Sequence, residues 1–412
     1  MIHISTLIRG SHPLVDTMAL ICAGWLLCGG PRPLATAASP ACKPEGESDS
    51  PSYLIPPKLE NLGRDYKVRL IYFVPNDREV KKNYREKLEV LMRVVADIYR
   101  RDLQSKGYQS RGLDFEFEED GRLKVYLIQG RQPAVFYSGK PASVDRLFRT
   151  QHAEISEALG DMKNRACLVF SEAGGIAEAM PIPHLYSGFA VVSGDVFRDE
   201  VTASTVEEQV RSFFAVAPVR KVDGTEAEPR SRAAQISNGV LIHELGHIFG
   251  MLHDTSEPNR DIMASGYHNL GKMFDPQTAG QFPVRFSPAH ARMASASRFL
   301  SESFDASDHE PPTIEFKLVR QPKVGDTQVE FAIKATDNQG LKALVCMQRG
   351  GEWIDALIGG MDLDGDKSFD KTVRFSCPRP IGASQPVHYW INVVDVNGNL
   401  SQAIQKSDVA PK

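Results

Sequence analysis

The sequence lacks a dominant charge. Its 412 residues carry 48 basic and 52 acidic side chains, a formal net charge of -4 at pH 7. Such a balance offers no field to hold a polyanion, so nucleic acid is excluded as a main partner. Also missing is any apolar run of the roughly twenty residues that cross a bilayer, so no membrane span is expected in the mature chain. There is no internal repeat and no low-complexity tract. What is present, 42% hydrophobic and 24% charged residues, is ordinary globular composition and argues against a disordered chain. At about 150 residues per domain, the length predicts two or three domains.

Thr17–Cys28 is a short apolar run, preceded by Arg9 and His12 and followed by Gly29, Gly30, Pro31 and the small-residue triplet Ala35-Thr36-Ala37. A charged start, a short apolar core and a small-residue exit describe an export signal over 1–37, and predict a secreted or extracytoplasmic protein. An uncleaved or lipid-anchored form is the alternative, although neither Cys28 nor Cys42 follows a convincing lipobox. Cleavage leaves Cys42, Cys167, Cys346 and Cys377, which allow three pairings. A Cys346–Cys377 bridge is the first expectation in an oxidising compartment, with buried free thiols as the alternative.

Residues 38–63, rich in Pro, Ser and Glu, read as a leader or linker. Strand patterns follow at Tyr66–Val74, Leu113–Glu118, Leu123–Ile128, Ala166–Phe170 and Phe189–Val192, with helical patterns over Arg78–Leu103, Ser143–Leu159 and Arg232–Phe249. This is an α/β order. A helical stretch over Pro288–Phe304 closes the region 64–305, and the proline-ended segment 306–312 reads as a linker. Residues 313–412 then show alternating runs at Thr313–Val319, Gln328–Ala335, Leu341–Met347, Lys371–Phe375 and Val387–Val394, broken by turn residues. About seven short strands in roughly 100 residues predict an immunoglobulin-like β-sandwich.

Chemistry concentrates in residues 243–254, His-Glu-Leu-Gly-His-Ile-Phe-Gly-Met-Leu-His-Asp. His243 and His247 are four apart, so on a helix both rings leave one face, one turn apart. That spacing suits two ligands of a tetrahedral Zn2+. Glu244, rotated about 100° from His243, flanks the metal and is free to take a proton from water. Gly250 can adopt positive φ, end the helix and let His253 return as third ligand. Three neutral imidazoles leave the full charge on zinc and one position open, as catalysis requires.

With these offsets, and with Met263 ten residues beyond His253, the sequence resembles the metzincin zinc endopeptidases, whose HExxHxxGxxH pattern is followed by a methionine turn. The resemblance spans residues 64–305 and implies a metzincin-like catalytic domain of the α/β (α+β) class, with a mixed sheet and an active-site helix. It implies one Zn2+ held by His243, His247 and His253, Glu244 as general base, and a structural role for Asp254 and Met263. The implied reaction is hydrolysis of a protein or peptide substrate. An edge strand would hold that substrate by backbone pairing, and Phe189–Val192 is the expected strand. Where some metzincins place a tyrosine two residues past the methionine, this chain has Ser265; Tyr267, four residues past it, is a candidate donor to the oxyanion, with an ordinary structural role as the equal alternative. No cysteine-switch motif precedes the site. Glu257 lies too close to His247 to replace His253 as ligand.

Asp362, Asp364, Asp366 and Asp370 place acidic oxygens at alternate positions, as Ca2+ loops do, although an exposed hairpin turn accounts equally for the spacing. The C-terminal region is expected to bind substrate, matrix or cell surface. Two rival functions stand beside the endopeptidase: a zinc hydrolase of cell-wall amides, and a non-catalytic zinc-containing binding protein.

Overall fold

A computed structural model describes residues 54–138, 144–174, 177–193, 218–220, 226–255, 257, 259–274, 284–350, 356–383 and 386–412. The expected signal over 1–37 and Cys42 lie outside the described residues.

β1 (Lys67–Val74) is buried without interruption from Leu70 to Val74, as a parallel strand covered on both faces must be. α1 (Tyr84–Ser105) begins after Asn83, whose left-handed backbone keeps residues 78–83 out of the helix predicted from Arg78. Its apolar stripe, Leu88, Leu91, Val94, Val95 and Ile98, packs into the main core. β2 (Val125–Gln129) pairs with β1 in parallel. The strand predicted over residues 113–118 is reduced to isolated bridges, Phe115 to Val68 and Phe117 to Leu123, while most of the one predicted over 123–128 lies in β2.

Two helices, α2 (Ala134–Ser138) and α3 (Val144–Leu159), lead to β3 (Arg165–Ser171), β4 (Ala177–Ile182) and β5 (Ser187–Ser193). The five-stranded sheet has the order β2-β1-β3-β5-β4, parallel except for β4. This corrects the edge-strand assignment. Phe189–Val192 lies inside β5, paired on both sides, and the edges of the sheet are β4 on that side and β2 on the other. Pro181 within β4 fits an edge, where a missing N–H costs no ladder bond.

A short hairpin, β6 (Pro218–Arg220) and β7 (Glu226–Pro229), feeds α4 (Arg230–Ile248). α4 packs against β4 and β5 on one side, and its Ile242 carbonyl accepts the Tyr99 hydroxyl of α1 at 2.7 Å. A 3₁₀ segment (Gly266–Phe274) and α5 (Pro288–Ala296) follow. The helix predicted to reach Phe304 stops at Ala296, where Ser297 turns extended and Arg298 points inward.

The C-terminal region is all β: β8 (Thr313–Leu318), β9 (Gln328–Thr336), β10 (Leu341–Arg349), β11 (Ala356–Asp362), β12 (Ser368–Ser376), β13 (Val387–Asp395) and β14 (Leu400–Ser407). They form two antiparallel sheets, β11-β10-β13-β14 and β12-β9-β8. Phe316, Phe331, Leu344 and Ile391 belong to the core between them. β11 and β14 escaped the sequence pattern, since Gly359-Gly360 and the polar run of β14 blur the alternation. The other face of the four-stranded sheet is apolar too: Val345, Trp390 and Val394 pack on Leu252, Met293 and Ala296. Both faces of this antiparallel sheet are therefore covered.

The expected Cys346–Cys377 bridge is absent. Both thiols are free and buried, as is Cys167, and Cys377 Sγ turns to Gln348 Oε1 at 3.4 Å. Among the described residues no helix is long and apolar enough to cross a membrane.

Candidate metal centre

α4 carries Gly239, His243 and Gly246 at i, i+4 and i+7, one face of a helix. The segment Ile262–Tyr267 docks along that face. Tyr267 backbone lies where a side chain on Gly239 would project, and a Cβ on Gly246 would lie 2.5 Å from Met263 Sδ. Two glycines inside a helix cost about 1 kcal/mol each relative to alanine. Their absence of a side chain is what lets the methionine segment approach.

That segment orients the first histidine. His243 Nδ1 lies 2.8 Å from the Ile262 carbonyl, and His247 Nδ1 lies 2.9 Å from the Met251 carbonyl. A carbonyl only accepts, so each Nδ1 carries the proton and each Nε2 presents a lone pair. Gly250 has φ +86°, as the expected helix-ending turn demands, and Met251 N–H closes back on Gly246 O at 3.0 Å. The turn brings His253 Nε2 to 3.2 Å from His247 Nε2, which is also 3.2 Å from His243 Nε2. All three rings are buried.

Lone pairs directed at one another over this distance repel unless a cation lies between them. Tetrahedral bonds of 2.0–2.1 Å would set the nitrogens about 3.3–3.4 Å apart, so the spacing fits a metal ion of zinc size. Burial, followed by the neighbouring His243 and His253, pushes His247 well below the ordinary histidine range and holds it neutral, the form a ligand needs. These three histidines could hold a metal ion.

Glu244 is buried beside them, and its Oε2 has no hydrogen-bond partner. Burial, reinforced by the charge of Glu178 on β4, raises its carboxyl well above the usual carboxylate range. Glu178 is a residue that sequence reasoning missed, because its proximity depends on β4 lying over α4. The Tyr267 ring stands 5.4 Å from the His243 ring, so the structure brings this tyrosine to the centre. Met263 is fully buried beneath α4. Asp261 caps its turn, accepting from Met263 N at 2.7 Å. His290 of α5, also missed, lies beneath with Nδ1 3.8 Å from Asp261 Oδ1, and Asp254 joins them within 4.8 Å.

Asp362, Asp364, Asp366 and Asp370 do not form such a group. Asp362 pairs with Arg292 at 3.2 Å and caps Asp364 N at 3.1 Å, while Asp370 lies within β12 opposite Lys334. The segment serves as the β11–β12 turn, with Asp364 and Gly365 at positive φ. The carboxylates that do converge in this region are Asp308 before β8, Asp337 after β9 and Asp395 at the end of β13. Residues 362–370 thus connect β11 to β12.

No protein-family model matches the sequence, and no curated protein matches it. Among solved structures, the chain is similar to OgpA from Akkermansia muciniphila. Against the catalytically inactive form in complex with an O-glycopeptide (glycodrosocin) substrate, the TM-score is 0.55 at 15% identity, covering 86% of this chain and 97% of that one. Against wild-type OgpA in space group P 21 21 21, the TM-score is 0.55 at 16% identity, covering 86% and 96%. At this identity the likeness is one of fold, and it extends through both the mixed sheet and the β-rich C-terminal region.

Proposed function

We propose that the chain is a secreted zinc-dependent endopeptidase of metzincin type, with His243, His247 and His253 as zinc ligands and Glu244 as general base. One observation carries the reading. Three buried Nε2 atoms lie at a spacing suited to a tetrahedral ion, and backbone carbonyls fix the tautomer of two of the rings. Bound there, zinc would supply the Lewis acidity that polarises the scissile carbonyl and acidifies water. Glu244 takes the proton as water oxygen adds to the carbonyl carbon, then returns it to the leaving amine as the C–N bond breaks. The open edge of β4 pairs with an extended substrate, and Tyr267 donates to the developing oxyanion. Export by residues 1–37 delivers the enzyme outside the cytoplasm.

An intact, buried Glu244 argues against a purely structural zinc site, which has no need of a base. The fold likeness to a protein solved with an O-glycopeptide supports a peptide substrate and makes O-glycosylated peptides the first to try. The test compares the zinc-loaded protein with Glu244→Ala on plain peptides, O-glycopeptides and cell-wall fragments, mapping new termini by mass spectrometry. We expect both proteins to hold one zinc per chain. Peptide cleavage should fall at least about 100-fold in the variant. Cleavage of cell-wall amides alone would replace this reading with the amide-hydrolase one, and loss of no activity in Glu244→Ala would remove the base assignment.

A further inference from the structure

The turn between the second and third proposed ligands is built from two sides. Its inner side is α4 itself. Its outer side is the C-terminal sheet. Along β13, odd residues Tyr389, Ile391 and Val393 enter the core between the two sheets, while Trp390 and Val394 face the opposite way. Asn392 shares that second face, a polar residue between two large apolar ones, and is 2% exposed. Its Nδ2 donates to the Gly250 carbonyl at 2.7 Å. The orientation of its amide follows from the partners, since a carbonyl can only accept. Gln402, its cross-strand neighbour on β14, donates Nε2 to Asn392 Oδ1 at 2.7 Å and fixes the amide from behind. Leu400 methyls lie 3.2 and 3.3 Å from where a side chain on Gly250 would begin, and Leu252 is buried in the Trp390–Val394 cluster.

We infer that the C-terminal sheet is a working part of the metal centre, with Asn392 as a positioning residue that holds the 248–253 turn and so the aim of His253. The inference rests on the zinc reading above and extends it to a region that reading leaves as a binding module. A glycine at φ +86° is an adaptable hinge, and the turn it makes must place one nitrogen to within a few tenths of an ångström. The Asn392 bond removes that freedom. Without it, the turn keeps its covalent path but loses the constraint that sets the His247–His253 spacing.

The test uses the full chain and two variants. Asn392→Asp keeps shape and volume but sets an acceptor against the carbonyl. Gln402→Ala, at a half-buried position, removes only the group that orients Asn392. Zinc affinity is measured by chelator competition, ligand geometry by the d–d spectrum of the Co2+ form, and kcat and KM on a peptide substrate. Metal-free melting reports the fold. For Asn392→Asp we expect zinc affinity to fall about 10–100-fold, the range for outer-shell partners of metal ligands, with an altered Co2+ spectrum and a loss in kcat rather than KM. Gln402→Ala should move in the same direction by less.

Wild-type zinc affinity and Co2+ spectrum in both variants, with only the melting temperature lowered, would overturn the inference and leave the sheet as passive support. Should Asn392→Asp fail to fold, Gln402→Ala decides alone. His253→Ala guards the premise. If wild-type protein binds no zinc, or His253→Ala binds it equally well, the zinc reading falls and this inference with it. If those two behave as proposed while the variants match wild type, only the inference falls.

Discussion

His247 and Glu244, three residues apart, are pushed in opposite directions by the same burial. The imidazole loses affinity for protons and the carboxyl gains it, because in each case the charged form is the one disfavoured. For His247 the folded pKa lies below the unfolded value of about 6.5, so its contribution is intact above that pH and lost as pH falls through it. On the proposed zinc reading, zinc content after equilibration from pH 8 to pH 5 should be constant at first and drop below about pH 6, as protons compete for the histidine nitrogens. At the same scale, Gly246→Ala tests the approach of Met263. Helix propensity alone would favour alanine by about 1 kcal/mol. Overlap with Met263 Sδ should cost about 1–3 kcal/mol, leaving the variant destabilised in thermal melting.

At the scale of elements, α4 was legible and its surroundings were not. The predicted span Arg232–Phe249 differs from the observed Arg230–Ile248 by one or two residues at each end. Its ligand spacing is local helical geometry, which sequence specifies directly. Which strand lies at an open edge is a non-local matter. β4 carries a weaker apolar pattern than β5, and only the pairing β3–β5–β4 exposes it. The gathering of Asp308, Asp337 and Asp395 is a similar case, since the linker, the turn and the strand end that carry them are far apart in sequence. Burial pushes the Asp395 carboxyl up to about 6, aided by the charge of Asp337 and opposed by hydrogen bonds from Asn399. A folded pKa above the unfolded value of about 3.9 contributes stability that is full below pH 4 and lost as pH rises through 6. The stability of the wild type relative to Asp395→Asn should therefore fall by about 1–3 kcal/mol between pH 4 and pH 7, measured by denaturant unfolding.

For the whole molecule, the junction between the α/β region and the sandwich is built like a core. Arg298 is its hub, 2% exposed, donating to Asn397 O at 2.7 Å, to Tyr66 Oη at 2.7 Å and to the Asp308 carbonyl. Its guanidinium carbon lies 4.0 Å from the centre of the Tyr186 ring. Arg298→Ala would leave three acceptors from distant parts of the chain without their donor, and should cost about 3 kcal/mol or more. Calorimetry should then resolve two unfolding transitions in place of one cooperative transition. The sequence pattern marked Val387–Val394 as an alternating strand, but Trp390 and Val394 on its second face pack on Leu252, Met293 and Ala296. The strand was recognisable from that pattern, and what covered its second face was not.

Sequence alone determined the features set by short-range geometry: the helix bearing His243 and His247, the positive-φ turn at Gly250, the return to His253, and most of the sandwich strands. Each depends on a repeat of 2 or 3.6 residues or on the φ range of one residue, and these act within a few positions. Tertiary structure decided what lies against them. It set Glu178 over Glu244, made β4 an open edge, left Cys346 and Cys377 unjoined, and drew Asn392 from some 140 residues away onto the Gly250 carbonyl. Such contacts are chosen by how whole sheets and helices pack, because a buried donor or acceptor must find whatever partner the assembled fold brings to it.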